Sequence, residues 1–158
     1  MSKKEKALSL LVSLLLAAAV AVGGGMITAG AVPEWYAGLD KPFWTPPNWL
    51  FGPVWTALYA AMALASWRIY LLGGFRCNRR ELSLYLVQLA LNGIWTPLFF
   101  GLRSPGLAFL EIMLLWGFLV AVVVGFWRKS RLAGWLMLPY ILWVSFAAAL
   151  NFAVWRMN

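Results

Sequence analysis

The chain has 158 residues and a net charge of +8, from 13 lysines and arginines against 5 aspartates and glutamates. Apolar residues make up 63% and charged residues 11%, less than half the charged share of about 25% found in soluble domains. That balance excludes a soluble globular fold and points to an integral membrane protein. There is no histidine, and Cys77 is the only cysteine. A histidine-ligated metal or haem, a cysteine–histidine zinc site, an intrachain disulfide and a Ser-His-Asp triad are therefore all excluded.

The charged residues mark out the elements. None lies between Lys6 and Glu34, Lys41 and Arg68, Glu81 and Arg103, or Arg131 and Arg156, and the stretch from Ser104 to Trp127 holds only Glu111. A membrane-spanning helix needs roughly 20 mostly apolar residues. Five spans are predicted, near 7–31, 49–72, 82–102, 105–127 and 132–155. They lack the short alternating pattern of barrel strands, so the predicted fold is all-α, one domain of five transmembrane helices. The first segment has a rival reading as a cleaved signal peptide, since Ala29-Gly30-Ala31 resembles a peptidase site. Its length and the small-residue stripe Ala17, Ala21, Gly25, Ala29 favour a retained span that packs closely.

Basic residues set the predicted orientation. Lys3, Lys4 and Lys6, then Arg68, Arg76, Arg79 and Arg80, then Arg128, Lys129 and Arg131 fall on one side, ten against three (Lys41, Arg103, Arg156) on the other. This places the N-terminus in the cytoplasm of a bacterial cell membrane and the C-terminus outside. Topology and lipid headgroups account for the basic loops, and no nucleic-acid partner is expected. The long connection 33–48 carries Pro42, Pro46 and Pro47, which oppose a simple helix, and Trp35, Tyr36 and Trp44, which suit a membrane interface.

Eleven tryptophans are present. Trp35, Trp44, Trp49, Trp127, Trp135 and Trp155 fall near span ends, as interface anchors do. Trp67 sits at an end beside Arg68 and is ambiguous. Trp55, Trp95, Trp116 and Trp143 lie deeper and are candidates for bundle packing or for an aromatic pocket. Gln88, Asn92 and Trp95 share one face of span three at i, i+4, i+7. Trp143, Ala147 and Leu150 share one face of span five, and Trp55 and Tyr59 are i, i+4 on span two. Such faces suit a large planar apolar ligand with few polar atoms. Interhelical hydrogen bonding by Gln88 and Asn92 is the plain alternative. Pro97 should kink span three and free a carbonyl near Asn92 or Gly93. Glu111 either lies near the start of span four, reaching the headgroups or pairing with Arg103, or is buried and functional.

Trp35-Tyr36-Ala37-Gly38-Leu39-Asp40-Lys41-Pro42-Phe43-Trp44-Thr45-Pro46-Pro47, followed by Gly52-Pro53-Val54-Trp55, closely resembles the translocator protein family, TspO/MBR, which includes the tryptophan-rich sensory proteins and the peripheral-type benzodiazepine receptors. Gln88-Leu89-Ala90-Leu91-Asn92 with Trp95, Pro97 and Phe99-Phe100-Gly101, then Glu111, then Pro139-Tyr140, Trp143, Phe146-Ala147 and Leu150-Asn151 match further stretches of that pattern. The resemblance implies a five-helix bundle with a ligand pocket near one membrane face, lidded by the first loop, and a homodimer. It implies binding of porphyrins such as protoporphyrin IX and of synthetic isoquinoline-carboxamide and benzodiazepine ligands. In some bacterial members it implies light- and oxygen-dependent porphyrin breakdown.

With the matched motifs, the candidate ligand-binding set is Tyr36, Pro46, Trp55, Tyr59, Gln88, Asn92, Trp95, Trp143, Phe146, Ala147 and Leu150. Trp55 and Trp143 are the candidate electron donors of a degradative reaction, because indole is the most easily oxidised aromatic side chain present. Lys41 or Arg103 is placed to meet a porphyrin carboxylate. No general acid–base pair, metal site or resident cofactor is expected, and the expected partners are the apolar ligand, membrane lipid and a second copy. Carriage of tetrapyrroles, sterols or similar apolar metabolites is the alternative function. In the family's C-terminal sterol motif a tyrosine stands between leucine and arginine. Here Phe152 takes its place between Leu150 and Arg156, so the phenol is missing.

Overall fold

The computed structural model describes residues 2–158. Five long helices dominate: α1 (Lys3–Glu34), α2 (Asn48–Tyr70), α4 (Arg79–Thr96), α5 (Pro105–Lys129) and α6 (Arg131–Met157), with a single turn of helix, α3 (Gly74–Cys77), between α2 and α4. All five are long and apolar enough to cross a membrane, α4 together with the turn that follows it. The chain is thus an all-α membrane bundle, as its charge spacing predicts.

Local chemistry sets the helix ends. Ser2 and Glu5 form a capping box at the start of α1, the Ser2 N–H donating to Glu5 Oε2 at 2.8 Å and the Glu5 N–H to Ser2 Oγ at 3.2 Å. Pro105 opens α5, where its missing N–H costs nothing. A single extended residue, Ser130, separates α5 from α6, and its hydroxyl accepts from the Ala133 N–H at 3.4 Å. Gly73, which precedes α3, and Gly74, its first residue, have φ of +140° and +71°, a region that disfavours a side chain.

Around the bundle the helices follow the order α1, α2, α6, α5, α4 and back to α1. Successive spans alternate in direction, so four of these five neighbours are antiparallel and the α1–α4 pair is parallel. That pair meets through glycine: a Cβ added at Gly93 would lie 3.3 Å from Val20 Cγ1, and one added at Gly24 would lie 3.3 Å from Thr96 Oγ1. Between helices in lipid, close backbone approach and van der Waals packing replace the hydrophobic force. The densest core lies where α2, α4, α5 and α6 converge, around Met62, Ile69, Leu119, Phe126, Met137 and Tyr140, all fully buried.

Pro97 marks the end of the regular part of the third span. The α-helix runs unbroken to Thr96, and Pro97–Gly101 then forms one wide turn in which the Leu102 N–H reaches back to Pro97 O at 2.8 Å. The irregularity thus lies C-terminal to the proline. It turns Phe99 and Phe100 toward Trp35, Tyr36 and Trp95.

Candidate functional site

A cavity of about 450 Å³ lies in the half of the bundle nearest the 33–48 loop. Its walls come from the C-terminal halves of α1, α4 and α6, the N-terminal half of α2, and Ile112 and Leu115 of α5. Small-molecule pockets span roughly 300–1,000 Å³, so this one is of ligand size. Of the sequence-predicted residues, Tyr36, Trp55, Tyr59, Asn92, Trp95, Trp143, Ala147 and Leu150 line it.

Three candidates stand elsewhere. Gln88 shares the Asn92 face of α4 but lies one turn deeper and is fully buried beneath Tyr140. Phe146 faces the loop, its ring centroid 5.7 Å from that of Trp44 and 5.5 Å from that of Trp143. Pro46 is half-buried in the loop and does not reach the cavity. Trp116, grouped by depth with the inner tryptophans, lies on the outward face of α5, where its Nε1 donates to Ser145 Oγ at 2.9 Å.

The floor of the cavity is a polar chain. The Tyr59 hydroxyl donates to Asn92 Oδ1. Asn92 Nδ2 donates to the Tyr140 hydroxyl at 2.9 Å, and that hydroxyl donates to Gln88 Oε1 at 3.1 Å. The two sequence readings of Gln88 and Asn92 thus divide between the residues: Gln88 ties helices together, and Asn92 both ties them and borders the cavity. Trp95 Nε1 donates to Asn151 Oδ1 at 3.0 Å, and Asn151 Nδ2 to Pro105 O at 2.7 Å. This fixes the Trp95 plane across α4, α6 and the start of α5. Phe99 stacks on Trp95 at a centroid distance of 5.0 Å and an interplanar angle of 21°.

Trp143 differs from Trp95. Its indole nitrogen is buried and has no hydrogen-bond partner, although its side chain lines the cavity. Trp55 has its ring centroid 5.5 Å from that of Tyr59 and 6.2 Å from that of Tyr140. Glu111 takes the buried alternative: it is 8% exposed and neither carboxylate oxygen has a partner.

The 33–48 loop lies at this end and is held by its own contacts. Lys41 Nζ donates to Tyr36 O at 2.8 Å and to Leu39 O at 2.6 Å, and stands 4.9 Å above the Tyr36 ring. Its donors are turned to the loop backbone, so Lys41 folds the loop and does not line the cavity as a carboxylate partner would. Arg103 is exposed and also off the lining. Tyr36 is buried beneath the loop, and burial pushes its phenol above the ordinary value. The Asp40 backbone is clasped by Asn158, with Asp40 N donating to Asn158 Oδ1 and Asn158 Nδ2 to Asp40 O, both at 3.0 Å.

Residues outside the candidate set complete the walls. Ala21, Gly25 and Ala29, three members of the α1 small-residue stripe, line the cavity with Gly24 and Thr28, and only Ala17 of that stripe is buried in packing. Phe51, Phe99, Phe100 and Asn151 are further lining residues. Phe99, Phe100 and Asn151 stand within the matched motifs, and that was the available signal for them. Among the described residues there is no cluster of histidine, cysteine and acids able to hold a metal.

The family model described as the TspO/MBR family matches residues 12–156. The tryptophan-rich protein TspO of Archaeoglobus fulgidus is 41% identical over 154 residues, covering 96% of this chain and 97% of that protein. The translocator protein of Homo sapiens is 44% identical over 137 residues, covering 85% and 81%. The tryptophan-rich sensory protein of Cereibacter sphaeroides is 39% identical over 142 residues, covering 88% of each. The family match over residues 12–156 and identities of this order over most of the chain show that it belongs to the TspO/MBR family of integral membrane proteins.

Proposed function

We propose that this protein binds a porphyrin of the protoporphyrin IX type, and related planar apolar molecules including benzodiazepine-class ligands, in the aromatic cavity. The 33–48 loop is the lid of a single five-helix unit. The observation that carries this reading is the ligand-sized cavity itself, walled by Phe51, Trp55, Trp95, Phe99 and Trp143. Flat aromatic walls and a floor with few polar atoms fit a macrocycle, and without histidine binding rests on stacking and shape. The protein acts as a homodimer in a bacterial cell membrane, N-terminus inside, on the strength of the family and the basic-residue bias.

In light and oxygen, the excited porphyrin takes one electron from Trp55 or Trp143; molecular oxygen adds to the reduced macrocycle, the adduct returns the electron to the indole radical cation, and one carbon–carbon bond of the ring breaks as its two carbons each become a carbonyl. The test is titration of protoporphyrin IX into detergent-purified protein in the dark, then under light. Saturable quenching of tryptophan fluorescence supports binding. Loss of the porphyrin bands beyond a protein-free control that disappears in the Trp55→Phe/Trp143→Phe double variant supports degradation, and unchanged loss in that variant rejects the donor role.

One observation favours a second reading, carriage of apolar metabolites. Glu111 is an unpaired acid buried at membrane depth, a feature often found along ion or proton paths. Proteoliposome flux of a tetrapyrrole that vanishes in Glu111→Gln supports carriage; flux indifferent to that change, or absent altogether, removes it.

A further inference from the structure

The cavity wall is not covered equally on all sides. Every lining residue that is exposed at the protein surface belongs to α1 or α2: Gly25 and Ala29 on the first, Asn48, Gly52 and Thr56 on the second. The lining contributed by α4, α5 and α6 is buried or half-buried. The glycines show how open this side is. A Cβ added at Gly25 or at Gly52 would meet no atom within 4 Å, whereas one added at Gly24 would lie 3.3 Å from Thr96 Oγ1. So α1 touches α4 through Gly24 and is free at Gly25. Toward the other end α1 and α2 are joined, Trp67 Nε1 donating to Lys6 O at 3.1 Å and to Ser9 Oγ at 3.2 Å, and Ala17 is buried. The opening is thus confined to the half of the bundle that holds the cavity.

This opening lies at the depth of lipid chains. α2 has 23 residues, a length of about 35 Å at ~1.5 Å per residue, against a hydrocarbon core of roughly 30 Å. Gly52 and Thr56 stand about 6 and 12 Å from the Asn48 end of α2, within the acyl region of the loop-side leaflet. The flanks are apolar. No charged residue falls between Lys6 and Glu34 or between Lys41 and Arg68, and the neighbouring Val22, Met26 and Trp49 are exposed. The two lining threonines keep their protons within their own helices, Thr28 Oγ1 donating to Gly24 O at 2.8 Å and Thr56 Oγ1 to Gly52 O at 2.9 Å. An apolar molecule passing between them therefore breaks no hydrogen bond between the helices.

We propose that this opening between α1 and α2 is the passage through which planar apolar ligands move directly between the bilayer and the cavity. The passage restricts the ligand class to molecules that dissolve in the bilayer, where the hydrophobic effect concentrates them. The proposal rests on the porphyrin reading of the cavity. The 33–48 loop stands over a separate, parallel route toward water, so loosening the loop and narrowing the opening act on release in opposite directions.

The test is stopped-flow quenching of tryptophan fluorescence by protoporphyrin IX, with the full chain in phosphatidylcholine nanodiscs. Mixing gives the association rate, and a chase with excess empty nanodiscs gives the release rate. In Gly25→Leu/Gly52→Leu both rates should fall about ten-fold, because a narrowed passage slows traffic in both directions. Both positions are exposed with room for a Cβ, and leucine favours a helix over glycine, so the bundle should fold. Gly117→Leu, at an equally open and exposed glycine of α5 away from the cavity, should leave both rates within about two-fold of wild type. If the double variant does not fold, Ala29→Phe on the same wall decides alone. Unchanged rates with saturable binding retained overturn the passage and leave the porphyrin reading standing. Slower association with faster release also overturns it, since leucines that fill the site itself would act that way. Absence of saturable quenching in wild type removes the porphyrin reading, and the passage with it.

Discussion

Replacing Asn92 with leucine tests the polar floor of the cavity. Asn92 is 5% exposed and makes two side-chain bonds, accepting from Tyr59 and donating to Tyr140. Interhelical hydrogen bonds in membrane proteins average about 0.6 kcal/mol, with a maximum near 1.7, so losing both costs about 1.2 kcal/mol. The larger penalty of a stranded donor is avoided here. The Tyr140 proton still has Gln88 Oε1 as acceptor, and the Tyr59 hydroxyl borders the cavity, where water can reach it. Leucine is also a better helix former than asparagine by a few tenths of a kcal/mol. The net expectation is a destabilisation of about 1 kcal/mol. Tyr59→Phe removes one bond, about 0.6 kcal/mol. The double variant loses the shared bond once, so it should cost about 1.2 rather than 1.8 kcal/mol, a coupling of about 0.6. Reversible unfolding in mixed micelles, followed by circular dichroism in wild type, both single variants and the double, measures that coupling. Additivity within about 0.3 kcal/mol, or an Asn92→Leu protein more stable than wild type, would refute the chain of bonds as drawn.

Two glycines of α5 and α6 should respond oppositely to alanine. At Gly134 the new Cβ would meet Trp127 Cε3 at 2.4 Å and the Trp127 Cα at 3.0 Å. Backbone cannot swing away, and Gly134→Ala should destabilise by about 1–2 kcal/mol despite alanine's helix propensity. At Gly106 the neighbour is Trp155 Nε1 at 2.8 Å, on a side chain 42% exposed, and the same unfolding assay should find Gly106→Ala within about 0.5 kcal/mol of wild type. Lys41→Met keeps the aliphatic stem but removes the donors to Tyr36 and Leu39. If the loop gates the cavity as proposed, stopped-flow release of porphyrin should accelerate about five-fold or more, from a lost loop contact of ~1 kcal/mol. Asn158→Ala unclasps Asp40 and should speed release in the same assay without changing the unfolding free energy by more than about 0.5 kcal/mol.

The bundle was legible because membrane helices announce themselves by length and by the charges that bound them. The inner aromatic faces were legible because i, i+4 and i+7 spacing survives in any straight helix, and Trp55, Tyr59, Asn92, Trp95, Trp143, Ala147 and Leu150 all meet at the cavity. Spacing fixes a face but not a depth, which is why Gln88 joined the candidates although it lies below the floor. It also does not tell a wall from a seam. The alanines and glycines of α1 read as a surface for a packed neighbour, yet beyond Ala17 that surface borders the cavity, because small residues leave space as readily as they admit a helix. Trp116 shows the converse: its depth suggested the interior, but its partner, Ser145, holds it on the outer face. Lys41 looked free in the sequence because nothing there reveals that the loop turns its own carbonyls onto the ammonium.

The most direct measurement is dark titration of protoporphyrin IX into wild type and Trp143→Phe, read by quenching of tryptophan fluorescence and checked by absorbance. The aromatic wall of the cavity, Trp143 included, predicts saturable one-site binding to wild type. It also predicts a dissociation constant about two-fold or more higher in the variant, because phenyl gives up roughly 0.5 kcal/mol of the stacking that indole offers. Quenching that never saturates, or an identical dissociation constant in the two proteins, would contradict the placement of a porphyrin against Trp143 in this cavity.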